Sequence, residues 1–497
     1  MKNLKDTIDI VSPIINEFFN QSIHDSKFPF VLKLPDVSAV FKKDDATNSK
    51  NYRPVSVLPA VSKVFERFLH VQLSSYFENI LSSKMCGYRK GYNAQYALVS
   101  LIENWKKSLD KGGYAGAILM DLNKAFDTIN HDLLIAKLHA YGLDKNALCL
   151  VKDYLSGRKQ RVKVGNTFSS WSEIEQGVPQ GSVLGPLLFS IYMNDLFWFN
   201  EKTDACNFAD DTTLYKIGMN IKELLHDLKH DTLITIEWFG YNYMKLNQEK
   251  CHFLFAGHSH EYMYANVGEN KIWESQREKL LGVNMDKKMT FKYHVTNLCK
   301  KAHSKLSALI RLGRFHSLEQ KRLIMKSFID SQFGYSPLVW MFHDRGVNLE
   351  INKVHERILR FVYDDNDRTY EELLEVDGSL KIHYRNIHSL ATEMFKVKSG
   401  IAVEIMKDIF VRNGDVKHNT RGSSRNDFIL PRVNTVHYGH DSLRYFGAKL
   451  WGILPENIKD SQNLVDFKHK IKSWMPTCCP CRLCKDYISG VGYVNLV

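Results

Sequence analysis

Apolar and polar positions along the chain change rhythm several times, and each change predicts a different element. After the polar stretch KKDDATNSKNYRP, apolar residues return at helical spacing from Val61 to Phe77, and the glycine-rich turn GYRKGY feeds a second helix in NAQYALVSLI. From Tyr114 the pattern becomes that of a strand. AGAILMDL is short and nearly all apolar, and HDLLIAKLHAYGL after it is a helix closed at Gly142. QRVKVGNTFSSW alternates like a hairpin around Gly165 and Asn166. QGVPQGSVLGPLLFSIYMNDL is a glycine-rich turn opening a long buried helix, with Ser182 placed to cap it. CNFADDTTLY, two short apolar arms around a pair of acids, predicts a tight hairpin. A helical region covers roughly Ile221 to Tyr243, after which KCHFLF and KLLGV supply further strands. Strand, helix, hairpin and helix in this order fit a split βαβ unit in an α+β fold, its sheet covered on one face by helices. Beyond Phe291 the chain reads as mostly helical, including KLSALIRLGRF and LEQKRLIMKSFI, and a third, less regular unit starts near Asp364.

Composition narrows the class. At 497 residues the chain exceeds one ordinary core and implies several packed units. With 44% apolar and 25% charged residues it is neither disordered nor membrane-embedded. No stretch reaches the roughly 18 apolar residues of a membrane span, and MKNLKDTIDI lacks the apolar core of a signal peptide, so no membrane partner and an intracellular location are expected. The net charge of +12 favours a polyanionic partner without identifying one. The nine cysteines are thinly spread until Cys478, Cys479, Cys481 and Cys484, which is unlike a disulfide scaffold. Their three-residue spacing, without a second ligand pair, gives poor support for a closed zinc site.

Asp121 closes the apolar run Ala117 to Met120. Alone it reads equally as a turn or cap residue. Asp210 and Asp211 sit between the arms CNFA and TTLY, where adjacent like charges are costly unless solvent or a cation compensates them. Alone, that pair reads as an exposed turn. If both acidic sites lie at neighbouring strand ends, their hard oxygens suit two magnesium ions about 3.5–4 Å apart.

The series DLNKAFDTINHDLL, QGVPQGSVLGPLLFSIYMNDL, FADDTTLY, MKLNQEKC and KLLGV resembles the ordered motifs of reverse transcriptases, most closely the non-LTR, LINE-like group that includes jockey-type elements. The likeness extends upstream through NYRPVSVLPAVSKVFERFL and GYRKGY, and FPFVLKLPDVSAVFKKDD resembles the N-terminal extension of that domain. The resemblance implies a right-hand polymerase with fingers, palm and mostly helical thumb. Its parts would be residues 1–113 as N-terminal extension and fingers, 114–290 as palm with inserted finger elements, 291–363 as thumb, and 364–497 as a C-terminal region with a cysteine-rich tail. It also implies an RNA-directed DNA polymerase that adds dNTPs to a DNA primer on an RNA template, using two Mg²⁺ ions for which Mn²⁺ would substitute.

Carried over by position, Asp121 and Asp210 are the expected closest metal ligands and Asp211 completes the site, while Lys250 orients phosphate or protonates pyrophosphate. Phe126 lies where the family places an aromatic under the incoming sugar, excluding a 2′-hydroxyl. Gln180 and Gly181 fall beside the nascent base pair, Arg89 near the triphosphate with Lys90 as its neighbour, and Leu281, Gly282 and Val283 in the primer grip. Arg53 and Lys63 add positive charge before the acids. Asp127 and Asp195 are expected to be local structure outside the metal site.

In the helical part, Lys300, Lys301, Lys305, Arg311 and Arg314 read either as a backbone-following face or as solvated charge. The segment NTRGSSRNDFILPRVNTVHYGHDSLRYFGAKLWGILP resembles a C-terminal region of related element proteins and reads as a nucleic-acid contact or a structural cap. Many full-length relatives begin with an endonuclease domain, yet 50 residues precede NYRP here, which reads as a truncated copy, a fragment, or an enzyme whose separate endonuclease partner makes the nick. Location in nucleus or cytoplasm stays open. Two other readings stand beside the polymerase: a noncatalytic RNA-binding remnant, and RNA-templated RNA synthesis, which Phe126 argues against.

Overall fold

The computed structural model describes residues 6, 8–42, 44–258, 262–313, 316–415 and 427–475. Arg314 and the four cysteines Cys478, Cys479, Cys481 and Cys484 lie outside them. Helix α1 (Ile8–His24) leads to β1 (Asp36–Phe41) and β2 (Tyr52–Val57), followed by α2 (Ala60–Phe77) and α3 (Ala94–Leu109). Asn93 starts α3 by accepting the Tyr96 amide on its side chain, as a cap should. Next come β3 (Tyr114–Met120), α4 (His131–Ala140), α5 (Lys145–Leu155), β4 (Arg158–Val164), β5 (Thr167–Phe168), β6 (Ser172–Ile174) and α6 (Gly185–Met193). The acidic hairpin is β7 (Asp204–Phe208) and β8 (Asp211–Gly218), followed by α7 (Ile221–Tyr241) and β9 (His252–Ala256). Two more hairpins, β10 (Tyr264–Val267) with β11 (Asn270–Trp273) and β12 (Arg277–Leu280) with β13 (Val283–Asp286), end the mixed part.

Two sheets flank the centre. In one, β2, β1, β4 and β5 lie in order with β6 on β4, and β1 runs parallel to β4 with Asp36 opposite Arg161. The N-terminal segment is therefore built into a sheet completed more than a hundred residues later. The other sheet has the order β7-β8-β3-β9, all antiparallel.

This second sheet corrects the expectation of one covered face. Along β3, Ala115 and Ala117 belong to one apolar core while Ile118 and Met120 belong to another. The alternation that ordinarily separates core from solvent here separates two cores, which is why AGAILM is apolar at every position. Helix α3, with Trp105 fully buried, covers the first face. Helices α6 and α7 cover the second through Phe189, Ile191, Leu224 and Leu228.

Helix α6 begins on a buried acid. Glu66 of α2 accepts the amides of Val183 (2.6 Å) and Leu184 (3.1 Å), and Ser182 Oγ accepts that of Gly185 at 3.0 Å. The first orphan donors of the helix are thereby satisfied, next to the positive end of its dipole. Burial nevertheless pushes the Glu66 carboxyl above its ordinary range.

From Lys292 the described chain is mostly helical: α8 (Lys292–Leu312), α9 (Leu318–Ile324) running into a π-helical stretch (Met325–Asp330), α10 (Arg345–Tyr363), α11 (Tyr370–Asp377), α12 (Ile382–Lys398), α13 (Leu443–Ile453) and α14 (Leu464–Ile471). Residues after Asp364 are thus more regular than their sequence indicates. They also share one core with α8, α10, α3 and the sheet: Leu390, Met394, Phe446, Leu450, Trp451 and Phe467 are all nearly or fully buried in it. Polar anchors fix the dock. Glu103 accepts from the Leu443 amide (2.8 Å) and Arg444 Nε (3.1 Å), Asp110 accepts from the Thr435 amide (2.7 Å), and Tyr96 Oη donates to Glu393 at 2.8 Å. Lys106 donates to the Asp441 carbonyl from a fully buried position.

Candidate active site

Sheet register brings the acids together. The last β3–β8 pair is Met120 opposite Thr212, so the next step along both strands sets Asp121 beside Asp211. Phe208 pairs with Asp211 to close the hairpin, leaving Ala209 and Asp210 as its two turn residues. Ala209 is held at φ +59°, a conformation that side chains disfavour and tight hairpins require. Gly87 passes directly beneath, where a Cβ would lie 2.3 Å from the Ala209 nitrogen. Asn207 Nδ2 ties the loop by donating to the Ala209 carbonyl (2.9 Å) and Thr212 Oγ1 (3.0 Å). On the other flank, Asn123 donates to the Lys245 carbonyl and Asn247 to the Asp121 carbonyl, each at 2.8 Å. That pairing carries Lys250 Nζ to 3.1 Å from Asp121 Oδ2.

These carboxylates feel one another. Although exposed by area, Asp211 is ringed by protein, and burial pushes its carboxyl up to about 6, with the negative charges of Asp210 and Asp121 adding to the rise. Among the described residues no three acidic, histidine or cysteine side chains converge closely enough to enclose a cation alone. A hard divalent ion shared with substrate phosphates needs no such cage, and clustered carboxylate oxygens facing an open cleft fit it.

A consequence follows for the chain without added metal. The raised Asp211 carboxyl means that the folded state holds more proton than the unfolded one between pH about 4 and about 6, so its contribution to stability falls as pH rises through that window. Asp211→Asn is expected to melt at a higher temperature than the native chain at pH 7, the difference shrinking below pH 4. Thermal melts across that range in chelator check it; an unchanged or lower melting temperature at pH 7 contradicts the repulsion.

The acids floor a cleft of about 1550 Å³. Phe126 lines it, stacked on Phe189 (centroids 4.6 Å apart) and edge-on to Tyr88 at 6.0 Å. Gln180 lines it too, its Nε2 donating to Asp127 Oδ1 at 2.9 Å. Gly181 adopts φ +113° with its missing Cβ 2.7 Å from the Ser56 carbonyl, so only glycine fits. Leu281 (φ +44°) and Gly282 (φ +84°) form the turn of the β12–β13 hairpin. Leu281 lines the cleft, and its carbonyl accepts from Tyr335 Oη at 2.6 Å. Val283 is wholly buried beneath. Lys42, Arg53, Lys124, Lys163 and Lys250 put cations on the walls.

Residues 40–285 match the family model for reverse transcriptase (RNA-dependent DNA polymerase). The chain contains a reverse-transcriptase domain. It is 28% identical over 344 residues to a probable RNA-directed DNA polymerase from transposon X-element of Drosophila melanogaster, covering 65% of this chain and 37% of that one. To the RNA-directed DNA polymerase from mobile element jockey of the same species it is 26% identical, covering 59% and 33%. The chain therefore spans well under half the length of these relatives, which are non-LTR retrotransposon proteins. Among solved structures, telomerase from Candida albicans in complex with a fragment of telomeric RNA matches at TM-score 0.38 and 12% identity, covering 73% of this chain and 70% of that one.

Within the reverse-transcriptase domain two expected contacts are corrected. Arg89 does not line the cleft: its guanidinium donates to the carbonyls of Ser82 (2.9 Å) and Glu78 (3.2 Å) and pairs with the Glu78 carboxylate at 2.9 Å, leaving its side chain almost buried. The Glu78 carbonyl just past the end of α2 and the Ser82 carbonyl in the loop after it hold its terminal nitrogens. Lys90, exposed beside it, also lies off the cleft wall, as does Lys63. Sequence reasoning missed Lys42, Lys124 and Tyr335, which line the cleft from loops or from the helical part and carry no periodic signal, and Lys163, which reaches it from the end of β4. Asp195 pairs with Lys137 at 2.7 Å away from the cleft. In the helical part Lys305 is partly spent on the Phe328 carbonyl and Arg311 on that of Ser307, while Lys300 and Lys301 are exposed.

Proposed function

We propose that the chain is an RNA-directed DNA polymerase of a non-LTR retrotransposon, extending a DNA primer on an RNA template with dNTPs. The observation that carries this is the convergence of Asp121, Asp210 and Asp211 at adjoining strand ends in a cleft walled by cations. Fingers and palm correspond to the two sheets, thumb to the helices after Lys292.

Two magnesium ions on Asp121, Asp210 and Asp211 would lower the primer hydroxyl's pKa and neutralise the departing pyrophosphate. The protein's own part is positioning and charge. Asp210 and Asp211 supply negative oxygens on a hairpin that Asn207 and Gly87 hold rigid, and Asp121 supplies them from the end of β3 beside it. Lys250, already at Asp121, stands where an ammonium group orients phosphate or donates a proton to the leaving oxygen. Arg53, Lys42, Lys124 and Lys163 take the triphosphate role first expected of Arg89. The turn Leu281–Gly282 presents backbone to the primer, braced by Tyr335. Phe126 fills the space beside the sugar, and its stack on Phe189 makes that surface unyielding to a 2′-hydroxyl.

The test supplies the purified chain with an RNA template, annealed DNA primer, Mg²⁺ and either dNTPs or NTPs. Extension with dNTPs is expected, and Phe126→Ala should improve NTP use relative to dNTP on the order of tenfold or more. Template binding without extension would instead assign the chain to noncatalytic RNA binding.

No helix among the described residues is long and apolar enough to cross a membrane.

A further inference from the structure

Asp127 lies six residues past Asp121 and reads in sequence as local structure, yet it lines the cleft and accepts from the side-chain amide of Gln180. The backbone around Gln180 is fixed from two sides. Val178 donates to the Phe126 carbonyl (2.9 Å) and Gly177 to that of Ile129 (2.7 Å), while the Gln180 carbonyl accepts from the Ser56 amide at 2.7 Å. Gly177, at φ +84°, packs so closely that a Cβ would sit 2.8 Å from Asp127 Cα. What stays undecided by the backbone is which end of the Gln180 amide faces outward. An ionised carboxylate only accepts hydrogen bonds, so Asp127 Oδ1 at 2.9 Å selects the amide nitrogen. Gln180 Oε1 is then the polar atom left to the cleft.

We propose that Asp127 is a positioning residue for nucleotide selection: it fixes the polarity of the Gln180 amide so that an acceptor, not a donor, meets the incoming nucleotide. Its complement is a hydrogen-bond donor on that nucleotide. Without Asp127 the amide turns freely and presents its nitrogen part of the time, which weakens nucleotide binding but leaves the acids and Lys250 untouched. This inference rests on the polymerase reading above.

The experiment measures kcat and KM for dNTP, with primer-template saturating, in the native chain, Asp127→Ala, Asp127→Asn, Gln180→Ala and the Asp127→Ala/Gln180→Ala double variant. Asp127→Ala and Gln180→Ala are each expected to raise KM about tenfold with kcat nearly unchanged, the loss of one hydrogen bond to substrate. The double variant should be no worse than Gln180→Ala, because Asp127 acts only through that amide. Asp127→Asn, whose amide can accept from Nε2 or donate to Oε1, no longer selects one end of the Gln180 amide and should raise KM toward the Asp127→Ala value. An unchanged KM in Asp127→Ala, a multiplicative double variant, or an Asp127→Asn with the native KM would overturn the assignment. A native chain that extends nothing would sink the polymerase reading itself, and is told apart because no variant comparison is then needed.

Discussion

Asp210→Asn is expected to lower primer extension on the order of a thousandfold, the scale set by removing one preorganised charge from a phosphoryl-transfer site. Asp210 occupies the hairpin turn and makes none of the bonds that shape it; those come from Asn207, from the Phe208–Asp211 pair and from Gly87 beneath. The substitution keeps size and backbone and changes only charge. Folding should therefore survive: with one negative neighbour gone, the Asp211 carboxyl moves back toward its ordinary value and the cleft floor repels itself less. The expected pair of results is lost extension with an unchanged or raised melting temperature and unchanged affinity for primer-template. Extension within tenfold of the native chain would remove Asp210 from the chemistry.

The second large effect concerns residues that touch no substrate. A chain ending at Tyr363 is expected to lose native structure, although every polymerase motif lies before that point. The truncation uncovers the core facing α3 and α10, and deletes Leu390, Met394, Phe446, Leu450, Trp451 and Phe467 from it. Each such side chain contributes roughly 1.5–3 kcal/mol on burial. Six of them match or exceed the whole stability of an ordinary domain, about 5–15 kcal/mol. The cut also strands Glu103 and Lys106, both almost fully buried, without Arg444, the Leu443 amide or the Asp441 carbonyl. Near-ultraviolet circular dichroism and calorimetry check this. One cooperative transition is expected for the full chain and none for the truncated one; a truncated chain that melts sharply would show that residues 364–475 form a separate unit.

Much of the candidate site was legible because its signals are local. An apolar run ending in Asp121 and a two-residue turn carrying Asp210 encode strand ends directly, and the ordered motifs place them side by side. Ser182 reads as a cap, and its hydroxyl does serve Gly185. What was not legible depends on distance. Tyr96 meets Glu393 across 297 positions and Glu103 meets Arg444 across 341, so no window of sequence reveals that the later helices complete the core under α3. Arg89 failed for the opposite reason. Its place in the chain is clear, but the terminal nitrogens of the guanidinium meet the Ser82 and Glu78 carbonyls and the Glu78 carboxylate, which hold it away from the cleft. The second covered face of the sheet was visible in principle, since AGAILM has no polar position, but a short apolar run alone does not name what lies on each side.

The shared core has a genetic corollary. A nonsense or frameshift lesion falling between codons 364 and 471 leaves all three acids encoded, yet it removes the packing on which their strands rest. Inspecting motifs alone would then misjudge which reading frames encode a chain that folds, and the frame must be followed at least to Ile471.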